Sequence, residues 1–476
     1  MNPFITIKEL KLKLERKEIS AAEVRAFYTD RIKKFNPDLN AVLEIFESNE
    51  STETGPLAGI PGLLKDNICQ KGHITSAGSK ILANYQAPYS ATVTTRLQEA
   101  GAELIGRANM DEFAMGGSGE FSAYGPTKNP WDAQYIPGGS SSGPGAAVAA
   151  GLVPFAIGSE TGGSVRSPAT FCNLVGMRPT YGSISRFGIV PFASSLDQAG
   201  PLTRTVYDNA LVFSALAGKD ANDSSTLQRE PKDYTAGLDG KLPKNLKIGI
   251  IREALEAEGI DPEVRNVFDN AVNQLKSMGA TISVIDIPNL KYGIALYFII
   301  SRAEAASNLY RYDGTLYGVR SKEAKTLVDM YLNTREAGFG TEVKRRILVG
   351  NYTLSAGHRD AYYDKAQQIR AMLRAEFEAV FANVDLLISP TCPILPWKIN
   401  ALIDDPLAMW LSDYFLVSNC ITGTPALAIP GGFAQNGLPI GFQFLGPSLS
   451  EELLYKVAHA FQENTDYHTK YPKGYE

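Results

Sequence analysis

Residues 158–170, GSETGGSVRSPAT, place Ser164 directly after two glycines. A serine hydroxyl attacks a carbonyl carbon efficiently only when a neighbouring base removes its proton. Histidine is the usual base, but the four histidines of the chain lie far away in sequence, at positions 73, 358, 459 and 468. The segment also lacks the G-x-S-x-G pattern of a nucleophile elbow. A Ser-His-Asp triad is therefore disfavoured, although residues distant in sequence can meet in a fold.

Lysine is the main alternative base, because Ser–Lys pairs carry out the same acyl-transfer chemistry. Lys65 follows the apolar and glycine-containing run GIPGLL, and it is expected at the end of a strand. A lysine base has to be neutral near the working pH, so burial and nearby dipoles must lower its pKa. Because lysines are usually solvated, Lys65 taken alone would be interpreted as an ordinary surface lysine.

Three segments together resemble the amidase signature family. They are Lys65 behind its glycine-containing strand, PGGSSSG at 137–143 and TGGS at 161–164. The resemblance runs through nearly the whole chain. It implies a proton relay in which Lys65 is the base, Ser140 the bridging serine and Ser164 the nucleophile.

The resemblance also assigns roles to backbone groups. It implies a cis peptide bond between Gly139 and Ser140. Glycines let successive amides point at one position, which suits the stabilisation of a tetrahedral oxyanion. By resemblance, this oxyanion hole is expected at the N–H groups of Thr161, Gly162, Gly163 and Ser164.

The sequence departs from the common family pattern at three positions. Ser142 replaces a glycine, Pro144 replaces a serine, and Glu160 stands where aspartate is usual. The length of the motif is unchanged and Ser140 keeps its place, so we expect the relay to survive. A phosphate-binding loop is disfavoured, because the chain has no G-x-x-x-x-G-K-[ST] pattern.

Longer segments narrow the resemblance to the glutaminase subunits of aspartyl/glutamyl-tRNA amidotransferases. These segments are residues 106–132, 178–204 and 355–370. Free glutamine is a zwitterion, so its recognition needs a cation for the carboxylate and an anion for the ammonium group. The positions that match the glutamine contacts of those subunits are Arg346, Asp413 and Tyr297.

This resemblance implies hydrolysis of glutamine through an acyl-enzyme, with ammonia passing to a B subunit. That subunit would use ATP and magnesium to activate Glu-tRNA(Gln) or Asp-tRNA(Asn) and would make the main contacts with tRNA. A small C subunit completes the expected complex, and no cofactor or metal is expected in this chain. Two alternatives stay open: a stand-alone amidase for small or hydrophobic amides, and an inactive structural subunit. The sequence does not distinguish the two tRNA substrates.

Composition excludes other classes of protein. The net charge of −5, from 46 basic and 51 acidic side chains, argues against an autonomous nucleic-acid binder. The four cysteines are too far apart for a zinc site or a disulfide framework. The first residues lack the apolar core of a signal peptide, and the most apolar run, AAVAAGLVPFAIG, is too short to span a bilayer. A cytoplasmic location without membrane contact is expected.

The elements that position these residues follow from the patterning. Capping boxes at Thr6 and Ser20 predict two helices within residues 1–50. Between 55 and 205, short apolar runs alternate with small-residue helices, which is typical of an α/β sheet. Residues 206–476 are expected to add further strands, at LKIGII, ATISVIDI, VDLLISPT and PALAIPGG, and a helical region that holds the glutamine pocket. The prediction is one amidase signature domain over 1–476, with a single large mixed β-sheet flanked by helices on both faces.

Overall fold

The computed structural model describes residues 1–47, 52, 54–257 and 259–476. Over those residues the strands are β1 (Val42–Ile45), β2 (Pro61–Lys65), β3 (Glu103–Ala108), β4 (Phe155–Glu160), β5 (Val175–Arg178), β6 (Gln198–Thr203), β7 (Lys247–Ile251), β8 (Thr281–Ile285), β9 (Leu386–Pro390), β10 (Ala426–Phe433) and β11 (Pro439–Leu445). They form one sheet in the order β1-β3-β2-β4-β6-β5-β10-β11-β9-β7-β8. The pairs β3–β2, β2–β4, β9–β7 and β7–β8 are parallel and the other neighbouring pairs are antiparallel, so the sheet is mixed.

The helices of the same described ranges surround this sheet. They are α1 (Ile7–Glu15), α2 (Ala21–Leu39), α3 (Thr92–Glu99), α4 (Ser142–Ala149), α5 (Arg166–Phe171), α6 (Val206–Leu216), α7 (Glu253–Glu256), α8 (Pro262–Ser277), α9 (Gly293–Asn308), α10 (Leu327–Gly338), α11 (Thr341–Leu354), α12 (Lys365–Phe381), α13 (Pro406–Leu411), α14 (Val417–Thr422) and α15 (Glu451–Glu463).

The sheet separates two apolar cores, which places helices on both of its faces. Along β9, the side chains of Leu386 and Ile388 belong to one core and that of Leu387 to the other, as the alternation of a strand requires. The first core is completed by α6, α8 and α15, and the second by α9, α11 and α12. The predicted fold class, a single large mixed sheet with helices on both faces, is confirmed.

Both predicted helix starts near the N-terminus are present. The side chains of Thr6 and Ser20 accept hydrogen bonds from the backbone N–H groups of Glu9 and Glu23, and both capping boxes are reciprocal. The segment 1–50 also contains β1, which pairs antiparallel with β3. Residues 48–50 of that segment lie outside the described residues. The two helices could thus be predicted from local capping residues. Strand β1 could not, because it depends on pairing with a strand about sixty residues away in sequence.

The four strands predicted after residue 206 are β7, β8, β9 and β10. Their positions in the sheet follow no simple order, because β10 and β11 lie between β5 and β9. Strands β10 and β11 therefore join the part of the sheet that contains β1 to β6 to the part formed by β7, β8 and β9. Gln443 of β11 contributes directly to this junction, since the guanidinium of Arg166 donates a hydrogen bond to its side chain.

Helices α9 and α11 pack closely at Gly350. A methyl group at this position would overlap the backbone carbonyl oxygen of Arg302 on α9, so the two helices approach each other only because the residue has no side chain. Tyr297 and Arg346 lie on the same two helices. The spacing of these residues across the helix pair therefore depends on Gly350.

We expect Gly350→Ala to destabilise the protein, although alanine has the higher helix propensity. The new methyl group must push α9 and α11 apart, and such overpacking costs about 1–3 kcal/mol. The change would be measured as a lower midpoint of urea denaturation. Gly293→Ala, at the start of α9, is the matched control: its methyl group would meet its nearest neighbour at 3.4 Å, an ordinary contact. An unchanged midpoint for Gly350→Ala would contradict the packing argument.

Candidate active site

Lys65, Ser140 and Ser164 lie at one edge of the sheet. Lys65 is the last residue of β2, and Ser164 follows the end of β4, which runs parallel to β2 in the neighbouring position. Ser140 precedes α4, the helix that leads into β4. Because the carboxyl ends of neighbouring parallel strands meet at the same edge, the three residues are brought together from distant parts of the sequence.

The amine of Lys65 is fully buried and has three polar neighbours. Its Nζ lies 2.7 Å from Ser140 Oγ, 2.9 Å from Ser141 Oγ and 3.0 Å from the carbonyl oxygen of Ser159. The Gly139–Ser140 peptide bond is cis, as predicted. A side chain at Gly158 would run into Ser141, so glycine at 158 allows the loop to approach β4. The competing interpretation of Lys65 as a solvated lysine is excluded by its burial.

Burial changes the protonation of Lys65. Removal from water lowers the pKa of Lys65 from 10.5 to about 7, against the opposing effect of the carboxylates of Asp111, Asp197 and Glu160. Near neutral pH, a large fraction of the amine is therefore uncharged and able to accept a proton. The pKa of Asp111 is itself raised to about 6 by burial, in spite of hydrogen bonds from the N–H groups of Phe121 and Gly119.

The pattern of donors and acceptors around Lys65 orients the lone pair of the neutral amine. A neutral amine has two N–H groups and one lone pair. The carbonyl oxygen of Ser159 can only accept, and the Ser141 hydroxyl donates its own hydrogen to that same carbonyl at 3.1 Å. Both N–H groups are therefore used towards Ser159 and Ser141, and the lone pair faces the Ser140 hydroxyl. Ser141 was not among the residues predicted from the sequence, yet it sets this arrangement.

The loop that carries Ser164 is closed by a buried ion pair. The carboxylate of Glu160 accepts hydrogen bonds from the N–H groups of Val165 and Arg166, both at 3.1 Å, and from the Arg166 guanidinium at 2.6 Å. Burial favours a higher pKa for Glu160, but Arg166 and Arg178 outweigh it and the pKa lies below its ordinary value. Although aspartate is usual at this position, Glu160 at the end of β4 thus still binds Val165 and Arg166 on the other side of the loop.

The backbone N–H groups of residues 161–164 point to no acceptor among the described residues. Such unused donors beside a serine are what the stabilisation of an oxyanion requires. The start of this turn is fixed by Asp197, whose carboxylate accepts a hydrogen bond from the Thr161 hydroxyl at 2.7 Å and others from the N–H groups of Phe192 and Ala193. Asp197 was missed by the sequence analysis, although it lies within one of the segments that carry the resemblance.

The Ser164 hydroxyl is almost buried and forms no hydrogen bond with Ser140 in the part of the chain that the structure describes. Its backbone is held by the N–H group of Ser141, which donates to the Ser164 carbonyl oxygen at 3.2 Å. Hydrogen bonds of catalytic groups are often long in the absence of substrate and shorten when it binds. The structure thus brings Lys65 and Ser140 into contact and places Ser164 next to them, while the catalytic roles remain predictions.

The two departures at the start of α4, Ser142 and Pro144, are accommodated locally. Pro144 lies in the first turn of α4, where a backbone N–H has no partner within the helix and its loss costs no hydrogen bond. The Ser142 hydroxyl donates to Thr127 Oγ1 at 3.1 Å and has no bond to Lys65. Neither change alters the contacts of Ser140.

Arg346, Asp413 and Tyr297 line one small cavity next to this site. Its other walls are formed by Gly116, Gly117, Ile294, Phe298, Arg302, Met409 and Trp410. Tyr297 connects the cavity to the serine loop, because its ring packs so closely on Gly162 that a methyl group there would overlap it. A wider cleft between α12 and the segment 422–424 contains none of the predicted site residues.

The polar groups of this cavity are arranged as complementary charges. Arg346 is paired with Glu342 through a 2.8 Å hydrogen bond from Nε. The Asp413 carboxylate has no hydrogen-bond donor among the described side chains, and burial raises its pKa to about 7. Burial also raises the pKa of Tyr297 to about 12, so its phenol is neutral and able to donate. The cavity thus offers guanidinium groups beside a carboxyl group that is partly ionised near neutral pH, a combination that can pair with the two charges of a zwitterion.

Other classes of site are not found over the described ranges. No group of three or more His, Cys, Asp or Glu side chains there is placed to hold a metal ion. The four cysteines are unpaired and buried. None of the helices found in those ranges is long and apolar enough to cross a membrane.

Comparison with protein families and relatives agrees with this geometry. Residues 23–455 match the family described as Amidase. A protein of Cyanothece sp., named as the A subunit of glutamyl-tRNA(Gln) amidotransferase, is 47% identical over 481 residues, which cover 98% of this chain and 99% of the relative. The protein of the same name from Bacillus cytotoxicus is 46% identical, with 98% of each chain covered.

Solved structures give the same result. The A subunit of glutamyl-tRNA(Gln) amidotransferase from Thermotoga maritima superposes with a TM-score of 0.84 at 39% identity, over 97% of this chain and 95% of that one. The native peptide amidase from Stenotrophomonas maltophilia superposes with a TM-score of 0.79 at 29% identity, over 97% and 96% of the two chains.

The contacts of Lys65 predict how the reactivity of Ser164 depends on pH. Only the neutral amine accepts a proton, so labelling of Ser164 by a fluorophosphonate should be slow below a pKa of about 7 and rise to a plateau above it. The labelling rate would be followed by mass spectrometry across the pH range. Lys65→Met should abolish the pH-dependent rise, whereas Lys71→Met, at an exposed lysine, should leave it intact. A wild-type profile that is flat between about pH 5 and 9 would exclude Lys65 as the base.

Proposed function

The chain belongs to the amidase family, and we propose that it is the glutamine-hydrolysing subunit of a tRNA-dependent amidotransferase. The observation that carries the proposal is the cavity beside Ser164, in which Arg346 and Asp413 offer opposite charges. An α-amino acid amide needs both, whereas a neutral amide needs neither. The names of relatives that match this chain along almost their whole length point to the same activity.

In the proposed reaction, Ser164 Oγ attacks the carbon of the glutamine side-chain amide. Its proton passes to the Ser140 hydroxyl, and the Ser140 proton passes to the lone pair of Lys65, which becomes an ammonium group. The negative charge that forms on the amide oxygen is stabilised by the N–H groups of residues 161–164. The low pKa of Lys65 matches this task, since a base with a pKa near the working pH is efficient.

Collapse of the tetrahedral intermediate then breaks the carbon–nitrogen bond. The relay returns the proton from Lys65 through Ser140 to the leaving nitrogen, so ammonia departs and a glutamyl ester remains on Ser164. Water attacks the ester next, with the same two residues removing and returning a proton, and glutamate leaves. The sequence of steps needs no metal and no cofactor in this chain.

Arg346 and Asp413 would recognise the two charged ends of glutamine. The guanidinium of Arg346 binds the carboxylate, while the Asp413 carboxylate binds the ammonium group. Tyr297, which packs on Gly162, places its hydroxyl between the cavity and the serine loop and orients the substrate. Recognition by charge at one end of the cavity thus positions the amide at Ser164.

The ammonia would be used by partner subunits. Relatives carry the name of the A subunit of an amidotransferase, which supports a complex with further subunits. In the proposed heterotrimer a B subunit binds ATP, magnesium and tRNA, a C subunit joins the other two, and Glu-tRNA(Gln) or Asp-tRNA(Asn) receives the ammonia. Such a complex works where aminoacyl-tRNA is made, in the cytoplasm.

The alternative of a stand-alone hydrolase of small or hydrophobic amides is weaker. The cavity would then be expected to be apolar, but it is lined by Arg346, Asp413 and Arg302. Buried charges are costly in the absence of a ligand that pairs with them. An inactive structural subunit is also disfavoured, because it would not need the buried Lys65–Ser140 contact.

Ser164→Ala should reduce glutaminase activity at least about 1,000-fold, because the hydroxyl that we propose to form the acyl-enzyme is removed. Ammonia release from glutamine would be measured for the isolated chain and for the chain with B and C partner subunits. The wild type should be weakly active alone and strongly active in the complex. Ser224→Ala, at an exposed serine, is the control. A Ser164→Ala variant as active as the wild type would remove Ser164 from the mechanism.

Asp413→Asn should raise the KM for glutamine by roughly 10- to 100-fold, because a charged partner of the ammonium group is lost. Glutaramate, which keeps the amide and the carboxylate but lacks the amino group, should be hydrolysed equally well by both proteins. Steady-state kinetics with the two substrates would show this difference. Asp269→Asn, at an exposed carboxylate of α8, should change neither value. An equal rise in the KM of both substrates would show that Asp413 does not bind the amino group.

A further inference from the structure

Arg302 is a buried cation in the cavity wall without a carboxylate partner. Its side chain lies on α9, is 1% exposed and lines the cavity together with Arg346 and Asp413. Nη1 donates to Ser301 Oγ at 3.0 Å, and Nε has no hydrogen-bond partner in the described part of the chain. Within the same part, Arg302 forms no ion pair, in contrast to Arg346, which is paired with Glu342.

The surroundings of Arg302 hold its guanidinium in a fixed plane. Its central carbon lies 3.7 Å from the ring centre of Phe298 and 5.3 Å from that of Trp410. An aromatic face stabilises a guanidinium stacked on it but leaves the N–H groups at the edge without acceptors. Among the described residues, Ser301 is the one hydrogen-bond acceptor of this guanidinium, which has roughly five N–H groups. The guanidinium of Arg302 is therefore held in a fixed orientation with N–H groups that could donate to a bound ligand.

The electrostatics of Arg302 differ from those of the other buried arginines of the site. Arg166 is paired with Glu160, and Arg346 with Glu342. Burial, with a further contribution from Arg346, lowers the pKa of Arg302 to about 9, so the side chain still carries its charge near neutral pH. The carboxylates of Glu342 and Asp413 partly oppose this decrease in pKa, but neither forms an ion pair with Arg302 among the described residues, so the carboxylate of a ligand would supply the missing partner.

We propose that Arg302 binds the carboxylate of the substrate and, with Arg346, makes the site selective for amides that carry a carboxylate. The inference deepens the proposed function, on which it rests, by adding a specificity-determining residue at a position that no sequence motif indicated. The two arginines come from α9 and α11, which are locked together at Gly350. A carboxylate has two oxygens and can accept from both guanidinium groups.

The test compares Arg302→Met with the wild type on three amides. Methionine keeps a long apolar side chain against the rings but removes the charge. The KM for glutamine and for glutaramate should rise roughly 10- to 100-fold, with kcat little changed, because a charged hydrogen bond to the carboxylate is lost. 4-Aminobutanamide, which is glutamine without its carboxylate, should be hydrolysed equally by both proteins. Arg302→Lys should recover part of the loss.

Arg229→Met, at an exposed arginine, is the matched control and should behave as the wild type. Labelling of Ser164 by a fluorophosphonate should proceed at the same rate in all variants, which shows that the catalytic serine is intact. Equal losses of Arg302→Met on all three amides, or no loss on any, would overturn the proposal. If the wild type hydrolyses glutaramate but not glutamine, the proposed function fails, while the ratio between glutaramate and 4-aminobutanamide still tests Arg302.

Thermal stability gives an independent readout. Removal of an unpaired buried charge should leave the melting temperature of the ligand-free protein unchanged or raise it. In the background of Ser164→Ala, which prevents turnover, glutamine should stabilise the protein with Arg302 more than the protein with methionine at this position. A large loss of stability without ligand, together with an unchanged response to glutamine, would show that Arg302 has a structural role instead.

Discussion

The structure of the site depends on a lysine amine that is held entirely out of water. A charged amine at that depth is unfavourable, and the resulting decrease in the pKa of Lys65 converts it into a base. The three groups around its nitrogen match the two donors and one lone pair of the neutral form. The loop before α4, the end of β4 and the glycine at 158 all serve this one arrangement, because each brings a serine oxygen or a carbonyl oxygen within reach.

Of the buried carboxylates near the Lys65 amine, Glu160 is neutralised by an arginine, whereas Asp197 is held by hydrogen bonds. Glu160 binds Arg166 and closes the serine loop, while Asp197 holds the start of the same turn through Thr161. Buried ion pairs contribute little net stability, but the protein is strongly destabilised when one partner of such a pair is removed. Their value here is that they fix backbone positions next to Ser164. The cavity differs, since neither Asp413 nor Arg302 forms an ion pair among the described residues, and the ligand that we propose would supply the missing partners.

Sequence patterns predicted those features that depend on local interactions or on the family motifs. The helix starts at Thr6 and Ser20 follow from capping, and the strands from short apolar runs between turns. The family motifs were sufficient to predict that Lys65 and Ser140 lie in contact. The function of Ser141 could not be derived, because it depends on the donor pattern at a carbonyl in another strand. From the sequence, Arg302 would be interpreted as an ordinary arginine of a helix. Its burial is seen only in the tertiary structure, where three aromatic rings pack near its guanidinium.

The position of β10 and β11 in the sheet also governs when the site can form during synthesis. These strands lie between β5 and β9, and Gln443 on β11 accepts a hydrogen bond from Arg166, which closes the serine loop. The ribosome delivers the N-terminal half first, so the nascent chain carries Lys65, Ser140 and Ser164 long before Gln443 emerges. A translation product that ends before residue 426 would lack β10 and β11, and with them the contact of Gln443 with Arg166. The strand order thus delays completion of the proposed site until most of the chain has been made.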